Sequence, residues 1–194
     1  MFTREQIQKA VIDSNYTYFD KGNYNLNIIG VRCNINNKVT NTFDDILTIS
    51  YKSDNEWVYK EYPITTDPGV KSLKQLVNIN GCAILVPGQY KGCFMVGLHK
   101  GYTALVQRGN VKVYRDKNKD EYYDLNPNTI DTGLFGINIH KSGKESFIVD
   151  NWSAGCQVFK REKDFKEFMS IVEKSKQLYG NRFTYTLLNK NDIK

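Results

Sequence analysis

The sequence predicts a mainly β fold, a β-rich α+β sandwich or barrel with one short N-terminal helix and one C-terminal amphipathic helix. Three observations carry this. Short β-branched and aromatic runs follow one another closely between turn residues, as antiparallel strands do. Helical periodicity is confined to two stretches near the ends. The 13 Tyr, 10 Phe and 2 Trp supply the amphipathic faces that half-buried sheets use.

Thr3 followed by Gln6 reads as a capping box, and Ile7, Ala10 and Val11 share one helical face, so a helix is expected over about 4–13. From Tyr16 to about Ile35 the chain turns aromatic and β-branched, and Tyr24 to Ile28 alternates as a half-buried strand. Further strands are expected at Ile46–Tyr51, Glu56–Ile64, Cys82–Pro87, Phe94–Leu98, Ala104–Gln107 and Val111–Arg115. Asp54-Asn55, Pro68-Gly69, Pro87-Gly88 and Arg108-Gly109-Asn110 supply turns around them. Phe165, Phe168, Met169, Val172 and Tyr179 then mark one face of a helix over 162–179, stopped by Gly180. Arg182 to Leu188 adds a last strand.

No repeat, low-complexity tract or long linker divides the 194 residues, so one domain over 1–194 is expected. With 40% hydrophobic and 25% charged residues the composition is that of a globular chain, which argues against disorder. The net charge of +6 favours anionic partners, but the lysines are spread and follow no nucleic-acid-binding motif, so nucleic acid is disfavoured. No apolar run reaches the roughly 20 residues of a membrane span, and the first residues lack the apolar core of a signal peptide. The four cysteines show no C-x-x-C pair, so spacing offers neither a structural zinc site nor a redox motif. Asp116 to Asp124 begins like a calcium loop, but Glu121 stands where the turn glycine belongs and Pro127 where the closing acid belongs. A solvated hairpin turn is the expectation there.

The strongest chemical signal lies in 136–159. Asn138-Ile139-His140 is followed by Trp152-Ser153-Ala154-Gly155-Cys156-Gln157. A thiol is mostly protonated near neutral pH and becomes a nucleophile when an imidazole takes its proton, which makes Cys156 the candidate nucleophile and His140 the candidate base. Gly155 lets the chain turn tightly enough for amide N–H groups of Gly155 and Cys156 to meet an attacked carbonyl oxygen. On a strand Asn138 and His140 face the same side, so Asn138 could orient the imidazole or touch substrate. Trp152 and His99 are candidate cleft residues, His99 being the other of only two histidines.

At His140, Ser153, Gly155 and Cys156 the chain resembles the L,D-transpeptidase (YkuD-like) family, whose signature is a strand histidine, a spacer and Ser/Thr-X-Gly-Cys. Thr65-Thr66-Asp67-Pro68-Gly69 and Val86-Pro87-Gly88-Gln89-Tyr90 are similar to turns such domains carry upstream. The resemblance implies a YkuD-like β-sandwich or barrel in which Cys156 attacks a peptide carbonyl in a peptidoglycan stem and His140 acts as base. Ser153 supports the site by hydrogen bonding, and no metal or organic cofactor is implied. The thioester so formed is passed to an amine or to water. Two positions depart from the pattern: Val158 stands where a basic or amide residue is usual, and Ala154 where histidine is frequent. The Asn-Ile-His and Trp-Ser-Ala-Gly-Cys-Gln forms also resemble phage-encoded relatives. They imply synthesis in the host cytoplasm, then a place in the virion or release to the cell wall on lysis, with peptidoglycan stem peptides and, in the virion, other virion proteins as partners. The alternative expectation is a catalytically degenerate virion structural or wall-binding module with the same fold, which Val158 fits.

Overall fold

The computed structural model describes residues 1–34 and 36–194. It is β-rich, as expected: eight strands close into a barrel and three more form a small sheet beside it. In chain order the elements are α1 (Arg4–Asp13), β1 (Asn27–Arg32), β2 (Asp45–Ser53), β3 (Glu56–Thr65), α2 (Val70–Lys74), β4 (Cys82–Leu85), β5 (Gly88–His99), β6 (Tyr102–Gln107), β7 (Val111–Asp116), β8 (Asp131–Gly133), β9 (Ile139–Lys141), β10 (Gln157–Phe159), α3 (Glu162–Tyr179) and β11 (Phe183–Asn189). The barrel runs β1-β11-β5-β6-β9-β10-β3-β2, and the small sheet runs β4-β7-β8.

The capping box forms as read: Thr3 Oγ1 accepts the Gln6 N–H, the Gln6 side chain accepts the Thr3 N–H, and Ile7, Ala10 and Val11 are buried. They pack on Ile29, Val31 and Leu188. This is why β1 departs from the half-buried strand expected over Tyr24 to Ile28. It lies at 27–32 and is buried on both faces, α1 covering one and the barrel core the other. A doubly covered strand loses the alternation that reveals a half-covered one. Gly30 is required here, because a Cβ would stand 1.9 Å from the hydroxyl of buried Tyr185. The region expected from Tyr16 to Ile35 ends on a residue outside the described ones.

Helix α3 packs Phe165, Phe168, Met169 and Val172 against the barrel and ends at Gly180 (φ +82°). Tyr179, expected on that face, is instead half exposed and donates to the Asn23 carbonyl at 2.8 Å. Three short elements carried no readable period: α2, β8 and β10. The Asp116 to Asp124 stretch is a loop between antiparallel β7 and β8, closed by the Asp124 N–H on Asp116 Oδ2 at 3.0 Å. No helix among the described residues is long and apolar enough to cross a membrane.

Candidate active site

The parallel pairing of β9 with β10 brings the signature together. His140 is opposite Val158 and Ile139 opposite Gln157, and one step back the Gln157 N–H donates to the Asn138 carbonyl at 2.9 Å. Alternation then puts Asn138, His140, Cys156 and Val158 on one face. Ile139 and Phe159 point the other way, into the barrel core.

The Ser153–Cys156 turn is held from within. Ser153, fully buried, accepts the Gly155 N–H on Oγ at 3.1 Å and donates that hydroxyl to the Cys156 carbonyl at 2.8 Å. Gly155 sits at φ +118°, where a Cβ would come within 2.1 Å of the Ala83 carbonyl oxygen; only glycine fits. The Gly155 N–H expected at an oxyanion site is therefore occupied by Ser153. Among the described residues no acceptor takes the Cys156 N–H, which leaves it as the candidate oxyanion donor.

Cys156 Sγ accepts the Asn138 N–H at 3.4 Å and faces the Gly136 carbonyl at 3.4 Å as its own acceptor. Burial holds its pKa above the ordinary thiol value, against the lowering effects of the Asn138 N–H and of Lys100. Among the described residues no hydrogen bond joins Cys156 Sγ to His140. The imidazole, 3% exposed, bonds the Lys141 carbonyl through Nδ1 at 2.8 Å. A carbonyl can only accept, so the proton is on Nδ1 and Nε2 keeps the lone pair of a base. Burial pushes the His140 pKa down to about 4, with His99 and Lys100 acting in the same direction. The site at rest is thus a neutral thiol and a neutral imidazole.

Asn138 has a different partner from the one expected. Its Oδ1 accepts the Gln107 N–H at 2.9 Å, which fixes the amide, so Nδ2 donates to His99 Nδ1 at 3.1 Å. His99 therefore carries its proton on Nε2, a buried atom without a partner. The His99 ring stacks on His140 with centroids 4.2 Å apart and planes 20° from parallel. His99 thus acts on the imidazole directly, and Asn138 acts through it. Tyr102, unflagged by any sequence motif, places its hydroxyl 3.4 Å from both His140 Nδ1 and the Lys141 carbonyl.

Two pockets flank the cysteine turn. One, of about 230 Å³, is lined by His99, Lys100, Tyr102, His140, Gly143 and Trp152 among others. The second, of about 300 Å³, includes Cys82, Ala83, Leu134, Phe135 and Ala154. Trp152, 40% exposed, lines the first of these pockets. Val158 is fully buried with Phe43 and Val149, so position 158 has no access to a ligand. Among the described residues no cluster of three or more His, Cys, Asp and Glu side chains is placed to hold a metal ion.

No family model, curated protein or solved structure matches this chain.

Behind the turn lies a second polar group. Gln157 Nε2 donates to the carbonyls of Gly155 (3.2 Å) and Thr66 (3.4 Å), and its Oε1 accepts the Tyr185 hydroxyl at 2.8 Å. Thr66 in turn gives its N–H and hydroxyl to Asp45 Oδ2 at 2.7 and 2.8 Å. Arg32 Nε lies 2.8 Å from Asp67 Oδ1, both side chains almost fully buried. Nothing in the sequence marked these charges as buried.

Proposed function

We propose that the chain is a cysteine acyl-transfer enzyme of the L,D-transpeptidase kind. It acts on peptidoglycan stem peptides and is encoded by a phage for degrading or modifying the host wall. The observation that carries this reading is the parallel β9–β10 pairing, which sets a glycine-turn thiol on the same face as an imidazole whose Nε2 is unprotonated. The resemblance at Ser153, Gly155 and Cys156 supplies the substrate class.

The resting geometry implies the order of events. Cys156 Sγ turns from the Gly136 carbonyl toward His140, and Nε2 takes its proton. The thiolate attacks the stem carbonyl, and the oxyanion forms against the Cys156 N–H. Collapse expels the leaving amine, which takes the proton from the imidazolium, and a thioester remains. Water or an amine then attacks it with His140 again as base, giving hydrolysis or transpeptidation and restoring the thiol. Hydrolysis fits release on lysis.

A second reading, a virion or wall-binding module without turnover, draws support from the same resting state. A thiol pushed up and an imidazole pushed down are the reverse of a preformed ion pair. Incubation of purified sacculi with wild type and Cys156→Ala, followed by mass analysis of muropeptides, separates the two. The enzyme reading expects new products from wild type alone. Identical muropeptides from both proteins favour the binding module.

A further inference from the structure

The pocket beside His140 holds a cation that the acyl-transfer chemistry does not use. Lys100 and Gly101 form the two-residue turn between β5 and β6, where His99 pairs with Tyr102. Both turn residues have positive φ, +47° at Lys100 and +87° at Gly101. Such a turn favours Asn or Gly at its first position, so a long charged side chain is kept there against local preference. The other lysine of the pocket, Lys141, is committed: its Nζ is 2.5 Å from Glu162 Oε1 and lies over the Tyr102 ring. Lys100 has no ion pair or hydrogen bond among the described residues. It lines a pocket walled by Tyr102, Trp152 and His140. Its field reaches Cys156, His99 and His140 alike. No carboxylate lines this pocket, Glu162 being taken up by Lys141 and Lys166.

We propose that Lys100 forms an anion subsite that takes a free carboxylate of the substrate peptide, held against Trp152 and Tyr102 next to His140. An unpaired ammonium in an aromatic-walled recess recognises an anion joined to an apolar stem, and no other cation of the pocket is free to do so. This rests on the reading of Cys156 as the reactive thiol, but not on turnover.

The test uses two alkylating probes of similar size, iodoacetate, which carries a carboxylate, and iodoacetamide, which is neutral. Rates at Cys156 are followed by peptide mass mapping in wild type, Lys100→Asn and Lys100→Arg. Asn tolerates the left-handed turn, so the hairpin survives, and the neutral probe corrects for any change in thiolate content. In wild type the iodoacetate rate levels off with concentration. The iodoacetate-to-iodoacetamide ratio falls about tenfold in Lys100→Asn, the size of one charge-assisted contact, and recovers in Lys100→Arg. A ratio unchanged by Lys100→Asn, or an iodoacetate rate strictly linear in wild type, overturns the subsite. Sacculi left intact by wild type would remove the proposed enzyme without touching this result.

Discussion

On the side of β10 reached by Gln157, Arg32 Nε and Asp67 Oδ1 lie 2.8 Å apart and almost fully buried, with Arg32 Nη1 and Asp67 Oδ1 making no hydrogen bond among the described residues, and Thr66, Asp45 and Tyr185 extend the network. On the side reached by Cys156, the thiol and the imidazole are uncharged, and His99 Nε2 and the Cys156 N–H have no partner among the described residues. One short strand separates the two. A buried charge stays only where a partner offsets its desolvation, which makes the first region a brace. A group that must exchange a proton is better kept neutral, which is what the proposed chemistry asks of the second. Gln157 joins them, since its amide holds the Gly155 carbonyl on one side and the Thr66 carbonyl on the other.

Substitutions can break this contrast from either side. Asp67→Ala strands the Arg32 guanidinium in the interior and should cost about 3–5 kcal/mol, read as a lower midpoint in urea unfolding. A loss under 1 kcal/mol would mean that the pair is not the brace.

The neutral side should reveal itself through pH. His140 is pushed down to about 4 from an ordinary 6.5, so folding favours the uncharged ring. The stability that depends on that ring staying neutral, on the order of 3 kcal/mol, is present above pH 6.5 and lost as pH falls through about 4. Asp45 works in the opposite sense. Burial and Asp67 push it up to about 7, so its contribution is full in acid and lost as pH rises toward 7. Unfolding curves of wild type and His140→Asn, subtracted at each pH, isolate the histidine. A flat difference between pH 6.5 and 4 would contradict the neutral ring.

Smaller effects sharpen the picture of the turn. Gly155→Ala must leave φ +118° or push back the Ala83 carbonyl, and should cost about 2–3 kcal/mol while slowing iodoacetamide at Cys156. Ser153→Ala leaves the Gly155 N–H and the Cys156 carbonyl unpaired and should cost about 1–2 kcal/mol, with a broadened Cys156 environment by NMR.

Sequence was informative where one face of an element meets the core and the other meets water. Helices α1 and α3 have that arrangement, and their period and end signals announced them. Strand β1 was misplaced because it is covered on both sides, and α2, β8 and β10 were missed because so few residues carry no period. For the site, His140 and Cys156 were readable as candidates through the motif, and strand pairing sets them on one face. Lys100 and Tyr102 reach it from a hairpin whose turn, Lys100-Gly101, gives no hint of what it faces. Asn138 was read as a partner of His140, but the partner of a side chain depends on the neighbouring strand, here the Gln107 amide of β6. The buried Arg32, Asp45 and Asp67 were invisible for another reason: a charge in a sequence ordinarily signals solvent.

The most direct test of the central claim is the intact mass of the protein after incubation with a purified stem peptide. Wild type should gain the mass of an acyl group on Cys156, labile to hydroxylamine as a thioester is, and Cys156→Ala should gain nothing. A wild-type protein that stays unmodified under single-turnover conditions, while the peptide is also left whole, would contradict it.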